Sequence, residues 1–253
     1  MRHIALFFCF AAAAAASCSS EDGVPDTPDE FCGEFAEAAC NSEVVQACQA
    51  ADASACRESQ VAFCLGQLPA SGFSGDAAES CLDAVESAYA DADLDAAELG
   101  IVARFDAPCD RLVRGPGAQG ATCTDRRDCD ATAGFQCVLA GEATGTCQRP
   151  VLTGPGEECS TVGAVCTEGF YCDGSHCIAG ESVGEACVAH EQCGASGYCG
   201  LLSECEARLP VRSPCGFDEQ CASGLCYRLT ATEQVCTDRV RLSLSEPLCD
   251  DLR

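Results

Sequence analysis

Twenty-six of the 253 residues are cysteine. Thiols in that number can ligate metal, attack a substrate or pair with one another, and spacing separates these chemistries. Structural zinc sites present their ligands in C-x2-C pairs or similar, and the chain contains none. Nucleophilic catalysis needs a base beside the thiol or hydroxyl. Beyond the leader only His176 and His190 could serve, each inside a cysteine loop. The runs GASGYC ending at Cys199 and SGFSG ending at Gly75 are not the G-x-S-x-G nucleophile elbow, and no His-Glu pairing of the metalloprotease kind occurs. The sequence thus offers no catalytic residue, no metal ligand set and no cofactor site, and it reads as a non-enzyme.

Two further motifs imitate sites. Gly115-Pro116-Gly117-Ala118-Gln119-Gly120 has the letters of a dinucleotide fingerprint but lacks the preceding strand and following helix, and it reads as a linker into Cys123. Asp91, Asp93 and Asp95 stand where a calcium loop has its first three carboxylates. Ala96 replaces the required Gly, however, and Val102 replaces the bidentate Glu. An acid-lined helix start accounts for the run more simply.

Pairing remains, and it implies export to an oxidising compartment. Met1-Arg2-His3 precedes an apolar run from Ile4 to Ala16, a signal-peptide core that is shorter than the ~20 residues a membrane span needs. Residues 1–17 read as signal peptide. Ala14-Ala15-Ala16 suits ordinary signal peptidase, whereas Ala15-Ala16-Ser17-Cys18 resembles the bacterial lipobox, with Ala15 where a large aliphatic is usual. Parity favours the lipobox: the 26 cysteines less Cys9 leave 25, and lipid on Cys18 leaves 24 to pair. Plain secretion with one free thiol is the alternative. Residues 18–30, rich in Ser, Asp, Glu and Pro, cannot bury a core and read as a lipid-anchored acidic tether. Ser19, in place of the Asp that signals inner-membrane retention, points to the outer membrane or cell surface.

The net charge is −26, with 14 Arg and no Lys. Such a surface repels phosphate backbones and anionic headgroups, so nucleic acid is excluded as a partner and the membrane contact is assigned to the lipid.

The elements that hold the cysteines fall into two builds. Residues 31–114 are rich in Ala, Glu and Leu and predict helices over Phe31–Cys40, Glu43–Ala50, Ser54–Leu65, Asp76–Ala90 and Asp95–Arg104, with Ser42, Ser54 and Ser74 or Asp76 as N-caps. Cys32, Cys40, Cys48, Cys56 and Cys64 recur every eight residues, which turns the sulfur about 80° on a helix each time. One long helix could not aim them at one partner; short antiparallel helices could. Cys81 and Cys109 make seven, so one must pair elsewhere. Cys249, whose setting Pro247-Leu248-Cys249-Asp250 echoes Pro108-Cys109-Asp110, is the candidate.

From Gly115 on, 17 of 139 residues are cysteine, and four repeats can be written. They are Cys123, Cys129, Cys137, Cys147; Cys159, Cys166, Cys172, Cys177; Cys187, Cys193, Cys199, Cys205; and Cys215, Cys221, Cys226, Cys236. They occupy about residues 120–150, 156–180, 184–208 and 212–240, followed by a C-terminal tail. An acidic-polar pair precedes the second cysteine (HEQC, DEQC), and Gly with an apolar or aromatic residue precedes the third (GFQC, GFYC, SGYC, SGLC). Units this short cannot build an apolar core. Bridges within each repeat, closing loops of roughly 15 residues, would contribute about 3 kcal/mol apiece. By the same logic the repeats should tolerate deletion of one unit better than loss of one cysteine.

The C-x5-C-x5-C of Cys187 to Cys199, with its acidic residue before the second cysteine and Gly-Tyr before the third, resembles the N-terminal cysteine-rich region of Dickkopf proteins. The whole arrangement is similar to bacterial Cys-rich lipoproteins carrying such repeats. The repeats lack the vertebrate Cys-Cys pair, so receptor antagonism does not carry over. The expected fold is small and disulfide-rich: N-terminal disulfide-linked short α-helices, then four small cystine-stapled repeats with little regular structure. The expected function is a surface-displayed structural or macromolecule-binding module acting on an extracellular macromolecule. A secreted protease-inhibitor or toxin-like cystine scaffold is the alternative.

The mature N-terminus should be Cys18 bearing lipid. Mass spectrometry of the protein from cells checks this, and an unmodified N-terminus at Ser17 would refute it.

Overall fold

The structure, a computed structural model, describes residues 24–68, 72–139, 144–230, 232–250 and 252–253. The leader, Cys18 and the start of the tether lie outside the described residues.

Five helices form the N-terminal part: α1 Pro28–Ala39, α2 Ser42–Cys48, α3 Ala53–Gln67, α4 Ala78–Ala88 and α5 Ala96–Arg104. Their starts are set by side chains that take up free backbone N–H groups. Thr27 accepts from Glu30, Asn41 from Val44, and Asp52 from both Ser54 and Ala55. Asp95 and Glu98 form a reciprocal capping box at α5. The expected caps Ser42 and Ser54 are corrected: both lie inside the first turn, because Asn41 and Asp52 accept just upstream. Ser74 does cap, but at a 3-10 turn, Gly75–Ala77, that feeds α4.

The eight-residue cysteine spacing resolves as a hairpin of helices. Cys32–Cys64 and Cys40–Cys56 tie α1 to α3 running antiparallel, and both bonds are centred on Cys48 in the intervening α2. Cys48 therefore has no counterpart within the hairpin, and it bonds Cys249. Cys81–Cys109 ties α4 to the turn Cys109–Leu112.

Fully buried Phe31, Phe35, Val44, Val85 and Leu112 make the core between these helices. Phe35 stacks on Phe105 with ring centroids 5.3 Å apart, Phe31 and Phe63 flank the pair, and Phe73 packs on Phe31. Part of this core comes from the other end of the chain. Leu225, Val240, Leu242, Cys249 and Leu252 are buried in the same cluster, Val240–Arg241 pairs antiparallel with Asp93–Leu94, and Leu242 N–H donates to the Ala92 carbonyl. The tail, which follows the repeats in sequence, is thus part of the helical core.

Every repeat has one wiring, first cysteine to third and second to fourth. The third and fourth face each other across a short antiparallel hairpin, as Cys137 with Cys147, Cys172 with Cys177, Cys199 with Cys205 and Cys226 with Cys236. The polar residue before the second cysteine also has a fixed task. Asp128 accepts from Thr124 N–H, Gln192 from Val188 N–H and Gln220 from Gly216 N–H, in each case the amide just after the first cysteine. The second repeat carries Val165 there, and its Ala164–Cys166 pairs as a strand instead.

Consecutive units are joined by backbone pairing. The segment entering or leaving a unit lies parallel to the second-cysteine segment of the next: Gly117 beside Cys129, Val151–Thr153 beside Ala164–Cys166, and Leu209 beside Cys221. Glu181 N–H donates to the Gln192 carbonyl at the remaining junction. Gly115–Gly120 is accordingly no free linker. A Cβ on Gly117 would fall 2.5 Å from the Asp128 carbonyl and 2.7 Å from Cys147 Sγ, so only glycine lets the strands meet. The first unit also touches the helices, through Ala131 N–H to the Val113 carbonyl and Arg126 to Asp106 at 2.9 Å. After the fourth unit there is no fifth, and Val240–Arg241 takes the Asp93–Leu94 edge. Both ends of the array are therefore fixed to one core, as the expected bond from Cys249 back to the helical region requires.

Replacing Cys48 and Cys249 together with Ala should cost about 2–5 kcal/mol and release the tail. Hydrogen exchange at Leu242 N–H should rise to the rate of an exposed amide while Cys199 N–H keeps its protection. Unchanged protection at Leu242 would contradict the closure.

Candidate functional site

The two histidines do different things, and neither holds a nucleophile. His176 is exposed in the turn of the second hairpin, where its backbone N–H donates to Asp173 Oδ1. His190 Nδ1 accepts from Cys199 N–H at 3.1 Å. Asp218 Oδ1 accepts from Cys226 N–H at 2.7 Å. Both acceptors stand three residues before the second cysteine and serve the amide of the third, so His190 is the counterpart of Asp218 and does a carboxylate's work.

Sulfur triplets such as Cys123, Cys129 and Cys147 lie within 4.8 Å of one another. All twenty-four described cysteines are in disulfides, and a disulfide sulfur is not the thiolate that binds metal or attacks carbon. The calcium-like acids are likewise committed. Asp95 caps α5, Asp91 accepts from Asp93 N–H, and Arg239 donates to the Asp93 carbonyl beside Asp91.

Two of the clefts at the junctions have both leucine and aromatic walls. One, of about 340 Å³, separates the helical core from the first repeat, with Leu68, Phe105, Val113 and Phe135 among its walls. Asp106 holds Arg126 at 2.9 Å and Arg104 at 3.0 Å at its rim. These side chains are 41–55 % exposed, so such pairs are worth only ~0–1 kcal/mol each and orient the seam more than they stabilise it.

The other cleft, about 660 Å³, lies between the third and fourth repeats. His190 and Phe217 meet at 5.0 Å between ring centroids, and Tyr198 sits edge-on to Phe217 at 6.0 Å. Leu201 and Pro214 complete the apolar lining. The Tyr198 hydroxyl donates to Glu206 at 2.6 Å, and that bond holds its proton above the ordinary tyrosine range. Tyr171 to Glu181 repeats the pattern.

A third such pair, Tyr227 to Glu246, clasps the fourth repeat to the tail. There burial comes first, raising both the phenol and the carboxyl. A carboxyl whose folded pKa lies above its unfolded value contributes stability that is present in acid and declines as pH rises.

Sequence reasoning missed the surface that is least explained by folding. Leu201, Val188 and Leu202 on the third repeat and Leu152 in the segment joining the first to the second are 100, 87, 82 and 76 % exposed. A signal for this region was present. Between Pro150 and Ala207 there are nine carboxylates and not one Arg, although Arg recurs on both sides.

No family model matches the chain, and no curated protein or solved structure is significantly similar to it.

Two outcomes follow from these contacts. His190→Asp should fold with near-native stability, whereas His190→Ala, which strands a part-buried N–H, should cost about 1–3 kcal/mol by denaturant unfolding; equal losses would show that the acceptor is irrelevant. For Glu246, the melting temperature of the native protein relative to Glu246→Gln should fall as pH rises from about 4 to about 7. A difference that is flat or rises would contradict the buried clasp.

Proposed function

We propose that this chain is a lipoprotein, acylated on Cys18 and displayed in the cell envelope at the outer membrane or cell surface, where it acts as a structural or macromolecule-binding module with no chemical conversion of its own. Twelve disulfides place it outside the reducing cytoplasm, and among the described residues no helix is long and apolar enough to cross a membrane.

The observation that carries the reading is the set of exposed aliphatic side chains on the repeats. The repeats take their shape from disulfides and backbone pairing, so Leu201, Leu202 and Val188 serve no core. Apolar side chains clustered in water without a folding role mark contact surfaces. The tether, rich in acids and Pro, would hold that surface clear of the membrane.

In its native host the wild-type protein should fractionate with membranes and be labelled by antibody on intact cells. Cys18→Ala should be recovered as soluble protein. Recovery of the wild type as soluble protein would sink the proposal.

A further inference from the structure

We propose that the tip of the third repeat, with the groove between it and the fourth, is a docking surface for a cationic polypeptide segment bearing aliphatic or aromatic side chains among its basic residues. This rests on the reading of the chain as a binding module and names the partner chemistry.

The tip breaks the rules of its own turn. Ser203 N–H donates to the Gly200 carbonyl, closing a four-residue turn whose central residues are Leu201 and Leu202. Such positions favour Gly, Asn, Asp, Ser or Pro. The second repeat obeys, with Asp173, Gly174 and Ser175 in the matching hairpin, and Asp173 supports that turn by accepting from Ser175 and His176. In the third repeat the two leucines are 100 and 82 % exposed. Cys187–Cys199, with Cα atoms 5.8 Å apart, brings 87 % exposed Val188 beside the same turn. Leu201 also lines the groove, where half-buried His190 and Phe217 offer ring faces and buried Tyr198 backs them.

Charge selects the occupant. Glu185, Glu191, Glu204 and Glu206 belong to this repeat against a single Arg, Arg208, whose Nε donates back to the Gly197 carbonyl. An anionic membrane, a nucleic acid and a second copy of a chain of charge −26 are all repelled by it. A segment that alternates basic and apolar residues satisfies both the carboxylates and the leucines.

The test uses the full chain carrying Cys18→Ala and a short fluorescent synthetic Lys/Leu peptide, followed by anisotropy. Lys/Ser and Glu/Leu peptides are the controls. The Lys/Leu peptide should bind, the Lys/Ser peptide more weakly, and the Glu/Leu peptide not at all. Leu201→Ser with Leu202→Ser should weaken Lys/Leu binding about tenfold or more and leave Lys/Ser binding unchanged. The leucines touch no core, so unchanged circular dichroism should accompany the loss. Glu185→Gln with Glu204→Gln should weaken binding more than Glu79→Gln with Glu86→Gln, an equal charge change on α4.

Unchanged affinity in the leucine variant overturns the proposal. Equal losses from the two Gln pairs also overturn it, since bulk charge alone would then be at work. Self-association that the leucine variant abolishes would assign the tip to a second copy and overturn it as well. Binding by this soluble chain is independent of anchoring, so failure here with intact membrane fractionation sinks the docking surface alone, and the converse sinks the display reading alone.

Discussion

A two-residue strand, Val240–Arg241, and the bond Cys48–Cys249 hold the far end of four repeats against the helices from which the array departs. The rest of the architecture depends on this closure. Cys48 is the cysteine the α1–α3 hairpin leaves over, and Cys249 is the one left after four complete repeats. Joining them converts a chain of small units into a closed circuit with a single apolar core. Leu94, Leu225, Val240, Leu242 and Leu252 are buried because that circuit is closed, and the Tyr227 to Glu246 contact seals the same seam.

Away from the core each repeat is held by means other than apolar burial. Two disulfides limit the unfolded chain, and in the first, third and fourth a side-chain oxygen before the second cysteine ties the amide after the first. What passes from unit to unit is backbone pairing, so the junctions have defined geometry and demand glycine where strands crowd. Gly180 shows it: a Cβ there would stand 2.2 Å from Gly194 N. Stapling also frees side chains. A surface that owes nothing to a core can carry Leu201 and Leu202 in a turn, and can omit Arg from the stretch between Pro150 and Ala207.

Much of this was legible in the sequence because disulfide scaffolds announce themselves through spacing. The disulfide-rich class, the helix-forming composition before Arg114 and the four cysteine quartets could all be read directly. Helix starts were harder. Ser42 and Ser54 are good caps by type, yet Asn41 and Asp52 lie just before them, and only geometry decides between neighbouring acceptors. The motif before the second cysteine was visible as HEQC and DEQC, while its meaning, an acceptor reaching back to the first cysteine's neighbour, was not. Gly115–Gly120 looked like a linker because parallel pairing with Asp128 and Cys129 leaves no periodic trace. His190 could be judged only when it was seen to stand where the fourth repeat has Asp218.

The closure separates the two regions by charge as well as by build. Arg126 and Arg239 meet Asp106 and Asp91 where the array joins the core at its two ends, while the middle repeats carry nine carboxylates between Pro150 and Ala207 and Arg208 alone at their end. The circuit is thus fastened at its ends and anionic along its arch. A disulfide map of the unreduced protein by peptide mass spectrometry tests this most directly. A peptide containing Cys48 should be found linked to the C-terminal peptide containing Cys249, and linked to no other. Cys48 recovered as a free thiol, or joined to a cysteine of any repeat, would contradict the closed architecture.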